Sequence, residues 1–195
     1  MINKIILASK SKVRKNILSK NGVECDVVPS NVDEDSVKMA LLRDNASSKT
    51  ISKNLAELKA NKISLKFKDQ LVMGADSVID LEGSIISKPN DRKEAFNILK
   101  SLNGKSHTLI SSVCISRGGE MVWNFTDEAT LTMKKFLTSE LQDYLSKISD
   151  ETLYAYNVYQ IEGLGKNLFS KIQGDKDTIM GLPIKKIIEY LKKYN

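Results

Sequence analysis

Apolar residues along the chain gather in short runs separated by polar, glycine-marked breaks. Lys4 to Ala8 reads as a short buried strand, and Ser9-Lys10-Ser11 then turns into a helix. Ile17 and Leu18 face inward on that helix and Asn21-Gly22 stop it. Glu24 to Val28 is a second strand, ended by Pro29. Residues 47–67 carry Ile51, Leu55, Leu58, Ile63 and Leu65 at roughly helical spacing, which predicts a long amphipathic helix. Leu71 to Ile79 predicts a half-buried strand broken by one carboxylate, Asp76. A tight turn at Glu82-Gly83, a short strand and Lys88-Pro89 follow.

Asp91 opens a helix that runs through Leu102 to Asn103-Gly104. His107 to Arg117 and Glu120 to Lys134 predict an antiparallel hairpin across Gly118-Gly119. Thr138 to Ile148 reads as a helix with Glu140 in its first turn and no capping box. Gly163, Gly165, Gly174 and Gly181 imply tight turns around a short helix and a strand. Pro183 opens a last helix reaching about Lys193. Long strands mixed with helices, and few repeated parallel strand–helix–strand units, predict an α/β fold with a mixed, strongly twisted sheet. No internal repeat or linker interrupts it, so residues 1–195 are expected to form one domain.

Composition narrows the class of protein. With 41% hydrophobic and 28% charged residues, the 195-residue chain matches an ordinary globular protein. Its net charge of +6 comes from lysine, with arginine only at Arg14, Arg43, Arg92 and Arg117. Nucleic-acid readers favour arginine for paired contacts, and there is no long run of one charge sign. Stable nucleic-acid binding is therefore not expected, whereas a compact anion such as a triphosphate suits the charge. Cys25 and Cys114 lack metal-ligand spacing and are expected to be buried free thiols. No run approaches the roughly 18 apolar residues of a membrane span. The chain is expected to be soluble and cytoplasmic.

Several residues stand out from their runs. Asp76 sits among Met73, Ala75, Val78 and Ile79, where a charge needs a partner or a metal; the other reading is a strand-end turn cap. Gly74 and Ala75 are small enough for something to approach the backbone. Ser9-Lys10-Ser11 at a helix start either holds an anion or supplies an N-cap through Ser11. Asp33, Glu34 and Asp35 form either an acidic helix start or a metal-facing loop. Lys59 lies beside the apolar stripe of the long helix, where most lysines are solvated. Glu162, in an apolar run before Gly163, reads as turned inward. His107, the only histidine, reads as structural.

Taken together, ILASKSKVRKNIL, PSNVDE, LAELKA, MGADSVIDLEGSIISKP, LNGKSHTLIS, YQIEGLG and IQGDKDTIMGLPI resemble the Maf family of nucleoside triphosphate pyrophosphatases. The pieces lie in family order across nearly the whole chain. The resemblance implies an elongated two-lobed α/β fold like that of inosine triphosphate pyrophosphatases, with a central cleft. It implies that Asp76 is the catalytic carboxylate and that Ser9 and Arg14 grip phosphate. It places Glu34 at the metal site beside Asp76, and Lys59 and Lys88 among the active-site lysines. The implied cofactor is Mg²⁺ or Mn²⁺, the implied partner a nucleoside triphosphate, and the implied assembly a homodimer.

The chain departs from the family at three positions that separate its substrate branches. Val13 stands where the branch acting on thymidine and uridine triphosphates has Arg, Ser77 where it has Thr, and Glu162 where it has Gln. A non-Arg residue and Glu resemble the 7-methyl-GTP branch, although that branch often has Trp at the first position and Val13 cannot stack on a cationic base. An ionised Glu162 only accepts hydrogen bonds, which suits the N1–H and N2–H₂ donors of guanine. The expected activity is hydrolysis of such a triphosphate to a monophosphate and pyrophosphate, a nucleotide-pool housekeeping role. The alternative is a non-catalytic nucleotide-binding regulator linked to cell division.

Overall fold

A computed structural model describes residues 4–194, and of 154–156 the backbone only. Among these residues seven strands join in one sheet: β1 (Ile5–Leu7), β2 (Cys25–Val27), β3 (Val72–Leu81), β4 (Ser84–Ile86), β5 (Ser106–Arg117), β6 (Glu120–Met133) and β7 (Phe169–Gln173). Their order is β2-β1-β3-β5-β6-β7, with β4 folded back on β3. β1 runs parallel to β2 and β3, and the remaining pairs are antiparallel. The expected mixed α/β sheet is therefore present. The glycine turns define its hairpins: Glu82 and Gly83 both take positive φ, as do Gly118 and Gly119.

Among the described residues eight helices flank the sheet: α1 (Lys12–Lys20), α2 (Glu34–Arg43), α3 (Ser48–Ser64), α4 (Arg92–Leu102), α5 (Thr138–Ser146), α6 (Asp150–Tyr156), α7 (Lys176–Ile179) and α8 (Ile184–Tyr194). A 3-10 turn spans Leu164–Leu168. Among the described residues no helix is long and apolar enough to cross a membrane.

β3 is not the half-buried strand its alternation predicts. Only Ser77 and Asp80 along it are partly exposed. The reason is a helix on each side. Met73 and Ala75 pack against Ile17 and Leu18 of α1 and Ile184, Ile187 and Leu191 of α8. On the opposite side α3 lies so close that a Cβ on Gly74 would fall 2.1 Å from the Ala56 carbonyl oxygen and 2.6 Å from the Ala60 nitrogen. Further along, Ile79 and Leu81 join a second core with α4, α5 and β5–β7. β3 thus passes from one apolar core to the other, and Asp76 and Ser77 occupy the passage.

The close approach also explains why the apolar stripe of α3 misleads. Leu58 and Leu65 are 38% and 58% exposed, while Ala56 and Ala60 are buried. Short side chains let the helix settle on Gly74 and Cys114, so alanine, rather than leucine, defines its inner face. Three smaller expectations also change. α5 is capped from Leu137, whose backbone N–H donates to Glu140 at 2.7 Å, so half of a capping box exists. α6 follows where the sequence reading places no element. Cys114 is buried but Cys25 is only half-buried on edge strand β2; both are free.

His107 is structural, as read. It is buried, and its Nε2 shares a 2.7 Å hydrogen bond with the Tyr159 hydroxyl. Burial pushes its pKa from 6.5 to about 4.

Two expected outcomes follow from this packing. Gly74→Ala should destabilise the fold by about 3 kcal/mol or more, because α3 must lift off β3; an unchanged denaturant midpoint would contradict the contact. The neutral His107 contributes stability above pH 6.5 that is lost as pH falls towards about 4. His107→Gln should remove roughly 3 kcal/mol of that acid-side loss, read by denaturant titration at several pH values. An identical pH profile in the variant would place the titration elsewhere.

Candidate active site

The inner face of α3 carries Lys59 one turn along from Ala56, and the α3-facing side of β3 carries Asp76 two residues beyond Gly74. The contact that seats Ala56 and Ala60 on Gly74 therefore brings the two charges together. Lys59 Nζ donates to Asp76 Oδ1 at 2.9 Å and to Glu34 Oε2 at 2.7 Å. Lys59 and Asp76 are only 5% and 6% exposed, so neither the turn-cap reading of Asp76 nor the solvated reading of Lys59 holds. Glu34 arrives as the first residue of α2, whose N-cap is Asp33. The acidic cluster thus divides its labour: Asp33 caps through the Ser36 N–H, while Glu34 reaches the lysine.

Burial pushes the Asp76 carboxyl above its ordinary pKa, against the pull of Lys59 and Arg14. Its Oδ2 is buried and has no hydrogen-bond partner among the described residues. Ser52 secures the same stretch by donating to the Asp76 backbone carbonyl at 3.2 Å.

Arg14 closes the other side. Its guanidinium donates to the Ala75 carbonyl at 2.9 Å, to Ser77 Oγ at 3.1 Å, to the Gly181 carbonyl at 3.1 Å and to Ser9 Oγ at 3.4 Å. Most of its donors are committed to the protein, so Arg14 braces α1, β3 and the loop before α8 more than it projects towards a ligand. Ser9 accepts from both Arg14 and the Ser11 N–H, which leaves its own hydroxyl proton to donate. Ser11 is the N-cap of α1. Ser77 shares a further 2.9 Å bond with Ser111, whose hydroxyl donates to the Thr178 carbonyl. Lys88, in the loop after β4, is exposed as a residue, yet desolvation of its ammonium, and then Arg14, lower its pKa. Lys59, Asp76 and Glu34 act on it electrostatically as well, so it faces the same cluster.

Beside this cluster opens a cavity of about 360 Å³, lined by Val13, Glu162, Lys176 and Met180 among others. Val13 is the neighbour of Arg14, and Met180 the neighbour of Gly181, so the cavity abuts the arginine brace. Glu162 is not turned into the core. It is exposed and accepts from Lys176 Nζ at 2.8 Å. Local pattern does not reveal that partner, because Glu162 lies in a turn and Lys176 begins α7, a separate segment.

The donor set suits a hard divalent cation. Asp76 and Glu34 offer carboxylate oxygens, and the unpartnered Asp76 Oδ2 is the atom such an ion would engage. No group of three or more His, Cys, Asp or Glu side chains able to hold a metal occurs among the described residues. Two protein carboxylates, with remaining positions left to water and phosphate, is the pattern typical of Mg²⁺.

Comparison with known proteins places the chain in a family. The profile described as Maf-like protein matches residues 4–194. A nucleoside triphosphate pyrophosphatase of Pelagibacter ubique is 70% identical over 192 residues, covering 98% of each chain. A 7-methyl-GTP pyrophosphatase of Rhizobium etli is 34% identical over 193 residues, covering 99% of this chain and 97% of that one. The solved structure of the Staphylococcus aureus Ham1 protein is similar at a TM-score of 0.47 and 12% identity, covering 99% of this chain and 100% of that one. A profile that takes in all but the ends of the chain, and relatives matched over nearly their full length, make this protein a member of the Maf family.

Proposed function

We propose that the chain is a nucleoside triphosphate pyrophosphatase that cleaves between the α and β phosphorus atoms, releasing a monophosphate and pyrophosphate. The observation that carries this is Asp76. It is a buried carboxylate with one oxygen held by Lys59 and the other unpartnered, facing a group of cations. Water attacking an electron-rich phosphorus needs a base to orient it and positive charge to receive the developing negative charge. Asp76, with its pKa raised by burial, is the base. Lys59 holds Asp76 in one orientation, and Lys88 supplies charge to the phosphates. Ser9 donates its hydroxyl proton at the start of α1, and Arg14 fixes the backbone around both. Mg²⁺ or Mn²⁺ held by Asp76 and Glu34 would supply charge neutralisation at the phosphates and acidify water.

Base choice falls to the cavity of Val13 and Glu162. Glu162 offers acceptor oxygens to the N1–H and N2–H₂ of guanine, which supports a guanine or modified guanine triphosphate. Ser77 contributes through Arg14 and Ser111. The names of the Pelagibacter and Rhizobium relatives support the reaction, and the latter a guanine-type base. The reading takes the whole chain as one working unit whose site lies where the two cores meet.

A pyrophosphate-release assay across a triphosphate panel, with Mg²⁺ or Mn²⁺ added, tests this. Turnover is expected, and Asp76→Asn should lower kcat roughly a hundredfold or more while nucleotide still binds. Near-normal turnover in the variant would remove Asp76 from the role. Tight nucleotide binding by the unaltered chain without any release would favour the regulator, and UTP and dTTP ranking far above guanine nucleotides would end the base assignment.

A further inference from the structure

The cavity beside Arg14 does not present Glu162 as a lone acceptor. Lys176, the first residue of α7, donates to Glu162 Oε1 at 2.8 Å, and both side chains line the cavity. The pair arises from two chain segments that α7 brings together. Asp175 caps α7 by accepting from the Asp177 N–H and is itself paired with Lys185. Lys176 is thereby left to Glu162. An ammonium has three donors, of which this contact uses one, and a carboxylate has further lone pairs beyond the one taken. The cavity wall therefore offers donors and acceptors side by side.

That arrangement discriminates among base edges. Guanine presents an acceptor, O6, next to two donors, N1–H and N2–H₂. Lys176 matches the first and Glu162 the other two. Uracil and thymine present acceptor, donor, acceptor, so the second carboxylate oxygen would meet a carbonyl. Charge discriminates further. Lys20 and Lys176 line the cavity together with Glu162 and Asp177, two of each sign. A cationic 7-methylguanine ring gains nothing from such a balanced wall, and Val13 gives it no aromatic face.

Resting on the pyrophosphatase reading above, we propose that Lys176, paired with Glu162, is a specificity-determining residue that sets the cavity for the neutral O6-keto edge of guanine and against 7-methylguanine. Removing its ammonium forfeits the bond to O6 for both bases and leaves Glu162 as a bare anion, so the ratio shifts through charge, towards the cationic base.

The test is the kinetics of Lys176→Met and Lys176→Arg against GTP, 7-methyl-GTP and UTP. Lys176 is exposed, and thermal melts coincident with that of the unaltered chain would show that the variants are folded. The unaltered chain should prefer GTP to 7-methyl-GTP. Lys176→Met should shift the ratio of kcat/KM values towards 7-methyl-GTP by about tenfold or more, with the loss on GTP falling on KM more than on kcat. Lys176→Arg should keep most of the preference. A ratio unmoved by Lys176→Met, or an unaltered chain that prefers 7-methyl-GTP, overturns the role of Lys176 while leaving the pyrophosphatase reading intact. Absence of pyrophosphate release from every triphosphate overturns that reading itself, and this one with it.

Discussion

Helix α3 rests directly on the backbone of Gly74, and the placement of the charged groups depends on that contact. No side chain larger than hydrogen fits at position 74, since even a Cβ would meet the Ala56 carbonyl at 2.1 Å. The approach carries Lys59 to within 2.9 Å of Asp76 and seals both from water. Burying two charges is costly, and their mutual attraction offsets the cost only with good geometry and further partners. Here Glu34 supplies a second partner for Lys59 from a half-exposed position. The pair itself is a poor source of stability. The alanine–glycine packing and the two apolar cores hold it in place.

The second organising group is Arg14, which connects three elements far apart in sequence through the carbonyls of Ala75 and Gly181 and the hydroxyls of Ser77 and Ser9. It lies between the Lys59–Asp76 pair and the cavity of Val13 and Glu162. The buried carboxylate and the cavity wall are thus positioned relative to one another by a rigid, planar group with fixed donor directions. Val13, next to Arg14 in α1, forms part of the wall beside this brace.

Much of the fold was legible because its signals are local. The Glu82-Gly83 and Gly118-Gly119 turns marked both hairpins, and Asp91 and Ser11 marked helix starts that the structure confirms. The glycine at 74 was recognised as a point of close approach, but not what approaches it. Lys59 shows why the rest was hidden. Its position beside an apolar stripe reads as solvated, and only contacts with Asp76 and Glu34, 17 and 25 residues away in sequence, reverse that. The same holds for Lys176 at the start of α7, whose partner comes from a turn elsewhere in the chain. Periodicity overvalued Leu58 and Leu65 because a helix seated on glycine uses its smallest residues inward. Family resemblance pointed to Lys59 and Lys88, where local pattern did not.

A crystal structure with a non-hydrolysable guanine triphosphate analogue and Mg²⁺ is the most direct measurement of whether these groups form one site. It should show the triphosphate within hydrogen-bonding reach, about 3 Å, of Lys88 and Ser9, beside Asp76 and Glu34, with the base between Val13 and Glu162. A nucleotide bound elsewhere, with Lys59 and Asp76 still enclosed and untouched by it, would contradict that convergence.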